Sequence, residues 1–250
     1  MTGQLALITG AASGIGRAAA KALAQAGWRL ALADRDVAVE QVAAQVGGVG
    51  TVVDVRDTAA VDAWVNSHPD AVALVNSAGI CAGEYLVDSS DEDWNTVLDI
   101  NLMGSVRALR AFARNRIAAG GGGSAILIAS NNAFWPCRSI SQYCASKAAV
   151  TMLGKTAASE LGEHDIRVNI VAPGETDTPM THEALQDADE MREIVRRTPL
   201  GRIGHASDIG SAVRMLLSTD AAWITGQLIS VDGGISLRGE SDLNPVHQEG

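Results

Sequence analysis

Leu5–Asp34, LALITGAASGIGRAAAKALAQAGWRLALAD, decides how the rest of the chain is read. Its apolar run Leu5–Thr9 ends in a glycine loop, TGAASGIG, that closes at Gly16. An alanine-rich stretch from Ile15 to about Ala26 reads as a helix, and Gly27 is a natural stop. A second apolar run, Trp28–Ala33, is interrupted only by Arg29 and ends at Asp34, 18 residues after Gly16. Strand, glycine turn, helix, strand and acid form a βαβ unit, and in that context the loop is a dinucleotide-binding signature.

The chemistry follows from the residue types. Gly10 permits the tight turn, Gly14 lets the backbone approach a pyrophosphate, and Gly16 lets helix and strand pack closely. Ser13 and Ile15 flank Gly14 where the helix N-terminus presents its amides to the phosphates. Asp34 can accept hydrogen bonds from ribose hydroxyls and repels a 2′-phosphate, which predicts NAD over NADP. Arg35 beside it could pair with that phosphate and argues the other way.

The alternation continues outward. Thr51–Val53 is a third apolar run leading to Asp54 and Val55, and Thr58–Ser67 reads as a helix. Ala71–Val75 is a fourth run, ending in Asn76-Ser77-Ala78-Gly79. A long helix is expected over Asp91–Ala118, with three acids in its first turn to suit the dipole and Asn101 in its middle. Gly120–Gly123 reads as a flexible turn. Ala125–Ala129 is a strand that delivers Ser130 at its C-terminal end, where open α/β sheets bind ligands. Further on, Ser141–Leu161 reads as a helix, Arg167–Val171 as a strand ended by Pro173-Gly174, Ser207–Leu217 as a helix and Leu228–Val231 as a last strand. The polar stretch Glu175–Gly204 breaks this rhythm, as a lid or binding loop would, with Met180 and Leu185 as inward contacts. Glu240–Gly250 is a polar tail. With no linker or repeat, the expected fold is α/β: one Rossmann-type doubly wound parallel sheet of about seven strands in a single domain, 1–250.

Within SNNAFWPCRSISQYCASK, Ser130–Lys147, a tyrosine follows the serine by 13 positions and a lysine follows the tyrosine by four. On a helix Tyr143 and Lys147 share a face, and a cation there favours the phenolate, lowering its pKa. Ser130 can hydrogen-bond the same reacting oxygen. Such a set moves a proton on or off a secondary alcohol. Taken alone, Tyr-x-x-x-Lys is a common pattern of buried helix faces.

Composition narrows the classes. A formal net charge of −10 argues against nucleic acid. Three cysteines without a C-x-x-C pair suit free thiols in a reducing compartment, and the five histidines have no metal-ligand spacing. No run is apolar enough to span a membrane, and no secretory leader is legible, so a cytoplasmic location is expected.

These motifs together resemble the short-chain dehydrogenase/reductase family, from Leu5 to about Gly234. Thr9–Gly16 matches its TGxxxGIG, Asn76–Gly79 its N-x-A-G, and Ser130, Tyr143, Lys147 and Asn101 its catalytic tetrad. Pro173-Gly174 with Thr176 and Thr178 matches the segment along the nicotinamide. The resemblance implies that Tyr143 is general base and acid, and that Ser130 polarises the substrate oxygen. Lys147 then holds the nicotinamide ribose, and Asn101 holds a water leading to solvent. It places Asp54 and Val55 at the adenine and Asn76, Ala78 and Gly79 along the cofactor. It also implies a homotetramer paired through the helices around Asn101 and Tyr143 and the Leu228–Val231 end.

By family position the substrate wall is Cys81, Asn132, Phe134, Trp135, Arg138, Ile140 and Gln142, with Glu175–Arg197 as lid. Phe134 and Trp135 favour an apolar or cyclic alcohol, while Arg138 either pairs with a carboxylate or is merely solvated. The PGETDTPM segment is similar to that of the 2,3-dihydro-2,3-dihydroxybenzoate dehydrogenase branch, although Glu175 is unwelcome beside an anion. An NADPH-dependent 3-oxoacyl reductase and a polyol dehydrogenase are the rivals within the fold. A cofactor-sensing regulator on the same fold, or a scaffold, would not need the intact tetrad.

Overall fold

The computed structural model describes residues 3–182 and 184–237. Seven strands, β1 (Leu5–Thr9), β2 (Arg29–Asp34), β3 (Val49–Val52), β4 (Ala71–Asn76), β5 (Gly123–Ile128), β6 (Ile166–Pro173) and β7 (Leu228–Val231), form one sheet. Its order is β3-β2-β1-β4-β5-β6-β7, every pair parallel. The helices are α1 (Gly14–Gln25), α2 (Ala38–Val46), α3 (Thr58–Asn66), α4 (Asp91–Leu98), α5 (Gly104–Ala118), α6 (Ser141–Leu161), α7 (Ala188–Arg197) and α8 (Ala206–Leu217).

Period-two geometry sends alternate residues to opposite faces, and both faces are buried, so the strands read as continuous apolar runs. Leu5 and Leu7 point into a core with Trp64, Phe112 and Val150 from α3, α5 and α6. Ala6 and Ile8 point into the other core with Leu23, Val39 and Ile209 from α1, α2 and α8. The strand order reverses between β1 and β4, and that switch point opens the ligand crevice at the strands' carboxyl ends.

Three features depart from the sequence reading. The region between Asp34 and Asp54 holds α2, whose Val39, Val42 and Ala43 are buried and whose end is set by Gly47 in the left-handed conformation. The expected single helix over Asp91–Ala118 is divided by a π turn, Asp99–Met103, with Asn101 inside it. Gly120–Gly123 is a bonded turn: all four glycines have positive φ, and Arg116 donates to the carbonyls of Gly121 and Gly122 at 2.7 and 2.6 Å.

The excursion after β6 is pinned at its base, where Thr176–Asp177 pairs with Gly204–His205. It carries α7, capped by Asp187, and contributes no buried residue from that helix. Leu185 is buried as expected, while Met180 is half exposed. The tail expected over Glu240–Gly250 lies outside the described residues.

Candidate active site

A cleft of about 500 Å³ runs along the carboxyl ends of β1, β2, β4, β5 and β6. Gly10, Ser13, Ile15, Asp34, Arg35, Asp54 and Val55 line it on the side of the glycine loop, and Ser130, Tyr143, Lys147, Pro173, Gly174 and Thr176 on the side of β5, α6 and β6, with Gly14 and Thr178 facing one another where the two sides meet. Ala78 and Gly79 lie between.

The glycine loop fits a pyrophosphate. Ser13 is the N-cap of α1, yet its side chain caps nothing, so first-turn amides are left for an anion. Gly14 has φ +49°, and a Cβ there would only reach van der Waals contact, with Thr178 at 3.6 Å, so the positive φ rather than crowding is what favours glycine. Gly10 and Gly16 serve close packing, since a Cβ on Gly16 would sit 2.1 Å from the Gly10 carbonyl oxygen. Asp34 is fixed by accepting from the Ala12 and Asp36 amides, both at 3.0 Å, which leaves further lone pairs toward the cleft. Asp54 is taken up by Arg56, whose hydrogen bonds hold its carboxyl below the usual range.

On the catalytic side, β5 delivers Ser130, which is buried and accepts from the Asn132 amide at 3.1 Å. Tyr143 and Lys147 lie one turn apart on α6, with the Lys147 Nζ 5.5 Å from the phenol ring centroid. Lys147 donates to the Ile128 carbonyl at 3.0 Å, and burial pushes its pKa down to about 8. The expectation of a lowered Tyr143 pKa is corrected. Burial raises it above the ordinary tyrosine value, and the Ser130 hydroxyl on the phenol pulls only partly back. The reason is desolvation of both partners, which disfavours either charge.

Behind the cleft wall runs a buried polar chain. The Thr9 hydroxyl donates to Asn76 Oδ1 (2.9 Å), and Asn76 Nδ2 donates to Ser105 Oγ (2.7 Å). Ser105 donates to the Asn101 carbonyl (2.6 Å), Asn101 Nδ2 to Ser146 Oγ (3.0 Å), and Ser146 to the Tyr143 carbonyl (2.7 Å). Asn101 also clamps both backbone groups of Ile80 at 2.9 Å. The π turn aims this side chain inward, a recurrent use of such turns at functional sites. Asn76 thus sits behind the wall rather than along the cleft, with both ends of its amide already bonded, contrary to its expected place at the cofactor.

The substrate wall divides. Cys81, Asn132 and Ile140 line the cleft. Trp135 lines an adjoining pocket of about 310 Å³ that shares Asn131, Asn132, Cys137 and Glu175 with the cleft. Phe134, half exposed, and Arg138, resting 5.7 Å over the Tyr85 ring, line neither. Gln142 is fully buried and lines neither. For Gln142 the helix geometry is the reason: Tyr143 and Lys147, four apart, share the cleft face of α6, and Gln142 is turned about 100° from Tyr143 into the interior. The sequence reading missed Ile80 and Ile100 in the wall and, within the Glu175–Arg197 lid, did not single out Pro179 and Thr181. Thr181 is legible in hindsight, because its hydroxyl donates to the Thr176 carbonyl at 2.6 Å and ties the TDTPMT turn together. The three cysteines are free, and among the described residues no cluster suits a metal.

Residues 10–236 match a family model described as enoyl-(acyl carrier protein) reductase. The chain is 36% identical to (3R)-3-hydroxyacyl-CoA dehydrogenase of Canis lupus familiaris, covering 92% of this chain and 95% of that one. It is 34% identical to 2,3-dihydro-2,3-dihydroxybenzoate dehydrogenase of Bacillus subtilis, covering 94% and 97%. A gluconate 5-dehydrogenase from Burkholderia cenocepacia, solved with NADP and tartrate, superposes with a TM-score of 0.91 at 31% identity, covering 96% of this chain and 97% of that one. With this sheet order, glycine loop and serine–tyrosine–lysine set, the chain belongs to the short-chain dehydrogenase/reductase family of nicotinamide-dependent oxidoreductases.

Proposed function

We propose that the protein interconverts a secondary alcohol, cyclic in the first instance and of the dihydrodiol kind, with its ketone, and that it prefers NAD. One observation carries this reading: Ser130, Tyr143 and Lys147 converge on one side of a single cleft whose other side carries the Asp34 carboxylate. When bound, the nicotinamide supplies the hydride acceptor or donor. The Pro173–Thr178 segment and Lys147 hold that end of the cofactor, and Asp34 reads the adenosine ribose. NADP in the related gluconate dehydrogenase and Arg35 beside the cleft are what Asp34 has to outweigh.

Ser130 holds the substrate oxygen and Tyr143 moves the proton on it. Burial keeps the phenol protonated, ready to donate to a carbonyl. For oxidation, the Lys147 cation supplies the charge that favours the phenolate. Asn101 Oδ1 and Lys147 Nζ both approach the bare side of Gly79, within 3.1 and 3.3 Å of where a Cβ would stand, and a water held by Asn101 near Lys147 is the proposed way out for the proton. Ile80, Ile100 and Ile140 give the cleft an apolar wall.

A homotetramer in the cytoplasm is part of the same proposal. Met103, Ile117 and Met152 are exposed on the helices around Asn101 and Tyr143, and Trp223 is 99% exposed before β7. No described helix is long and apolar enough to cross a membrane. The test is NADH-band absorbance with NAD or NADP against cyclic alcohols, dihydrodiols, hydroxysteroids, polyols and hydroxyacyl thioesters. Comparable efficiency with NADP refutes the cofactor preference, and turnover confined to acyl thioesters refutes the substrate class.

A further inference from the structure

Resting on that reading, we propose that Glu175 is the specificity residue of this site: its carboxylate accepts a hydrogen bond from a second, non-reacting hydroxyl of a neutral diol or polyol and turns away anionic substrates. Three observations lead there. Glu175 lines both the catalytic cleft and the adjoining 310 Å³ pocket, at the join between them. Among the described residues its carboxylate has no hydrogen-bond or ion-pair partner, although its main-chain carbonyl is fixed by the Gly204 amide at 3.0 Å. An acceptor in such a place has open lone pairs and a fixed backbone, which is what recognition of a donor group requires.

The surrounding charges set the sign. From α7, Glu190, Glu193 and Arg197 face the adjoining pocket. Glu193 is bonded to Arg196 at 2.7 and 2.8 Å, and the Arg197 guanidinium lies 5.3 Å over the Trp135 ring. Among the described residues lining this pocket, Glu175, Glu190 and Glu193 stand against a single cation, Arg197. Burial, and then Glu190, raise the Glu175 pKa, and the same carboxylate adds to the upward push on Tyr143. A carboxylate, phosphate or acyl thioester carrier entering here would add a further negative charge. Of the two aromatic residues expected to make the wall apolar, only Trp135 lines the adjoining pocket, and Phe134 lies outside both cavities.

The experiment measures binding, not turnover, by titration calorimetry on the Tyr143→Phe protein loaded with NAD. The probes are cyclohexanol, the 1,2- and 1,3-cyclohexanediols and 3-hydroxycyclohexanecarboxylate. A half-buried charged acceptor predicts that one diol binds about tenfold or more tighter than cyclohexanol. Glu175→Leu should erase that gap while moving cyclohexanol by less than about threefold, since cyclohexanol has no second hydroxyl to place on the carboxylate. Glu175→Gln, which keeps an acceptor but removes the charge, should admit the carboxylate probe. An unchanged far-UV circular dichroism spectrum and urea-unfolding midpoint certify that each variant is folded. A diol no tighter than cyclohexanol, a gap that survives Glu175→Leu, or a carboxylate that binds the unsubstituted site as well as the diol overturns the proposal. Failure of turnover alone would count against the oxidoreductase reading of substrate, while the diol-over-cyclohexanol gap and its loss in Glu175→Leu would still support the role of Glu175.

Discussion

Replacing Lys147 by Met should destroy activity and yet stabilise the protein at neutral pH. Lys147 is 5% exposed, and burial pushes its pKa from 10.5 to about 8. At one pKa unit per 1.36 kcal/mol, carrying that cation costs the folded state about 3 kcal/mol where both states are protonated. Met fills a similar volume and removes the cost, but it leaves the Ile128 carbonyl without its donor, a loss of about 1–2 kcal/mol. The net gain at pH 7 is about 1–2 kcal/mol, or roughly 2–8 °C in Tm for a chain of this size. The sign with pH is fixed. A cation whose folded pKa is depressed means that the unfolded chain binds the extra proton between about pH 8 and 10.5, so the unsubstituted protein gains stability as pH rises through that window. The advantage of Met should shrink by about 2 kcal/mol from pH 7 to pH 9.5 and vanish or reverse. Urea unfolding of both proteins at the two pH values measures it, and because every other group titrates in both, the difference isolates Lys147. A Met variant that is less stable at pH 7, or an advantage that ignores pH, refutes the reasoning.

Other outcomes follow from the same geometry. Tyr143→Phe should abolish turnover, while NAD affinity by fluorescence titration changes little, because only the phenol oxygen is removed. Gly16→Ala places a Cβ 2.1 Å from the Gly10 carbonyl oxygen, and the forced shift of α1 should cost about 1–3 kcal/mol in denaturant unfolding and weaken NAD binding at least as much. Asp34→Ala removes both the ribose acceptor and the charge that repels a phosphate, so the NAD-to-NADP ratio of kcat/KM should fall by tenfold or more, about 1.4 kcal/mol or greater; an unchanged ratio removes Asp34 from cofactor choice.

Much of this was legible in the sequence because it was local. The βαβ unit, the strand ends and the Tyr143–Lys147 spacing each follow from hydrophobic period and turn chemistry within a few residues. What escaped depended on distant partners. The π turn at Asn101 is stabilised by Ser105, Ser146 and Ile80, and no local pattern announces a break in a helix that keeps its amphipathic face. Helix α2 is a different case: it has only nine residues, but Val39, Val42, Ala43 and Val46 recur at helical spacing, so its signal is present in the sequence and only short. The sign of the Tyr143 shift was misread because charge proximity is visible in spacing whereas desolvation is not. Phe134, Arg138 and Gln142 share a segment with the catalytic residues, but nearness in the chain did not place them in the cleft.

The hydrogen-bonded chain from Thr9 to Tyr143 bears on how the molecule can change. None of Asn76, Ser105 or Ser146 lines the cleft, yet each joins the glycine loop to the catalytic helix, so a mutational scan should find them nearly as intolerant as Tyr143 itself. The walls at 132–140 and 175–204 stand outside that chain. Evolution, or an engineer, is free to rewrite those walls for a new alcohol while the machinery beneath them keeps its register.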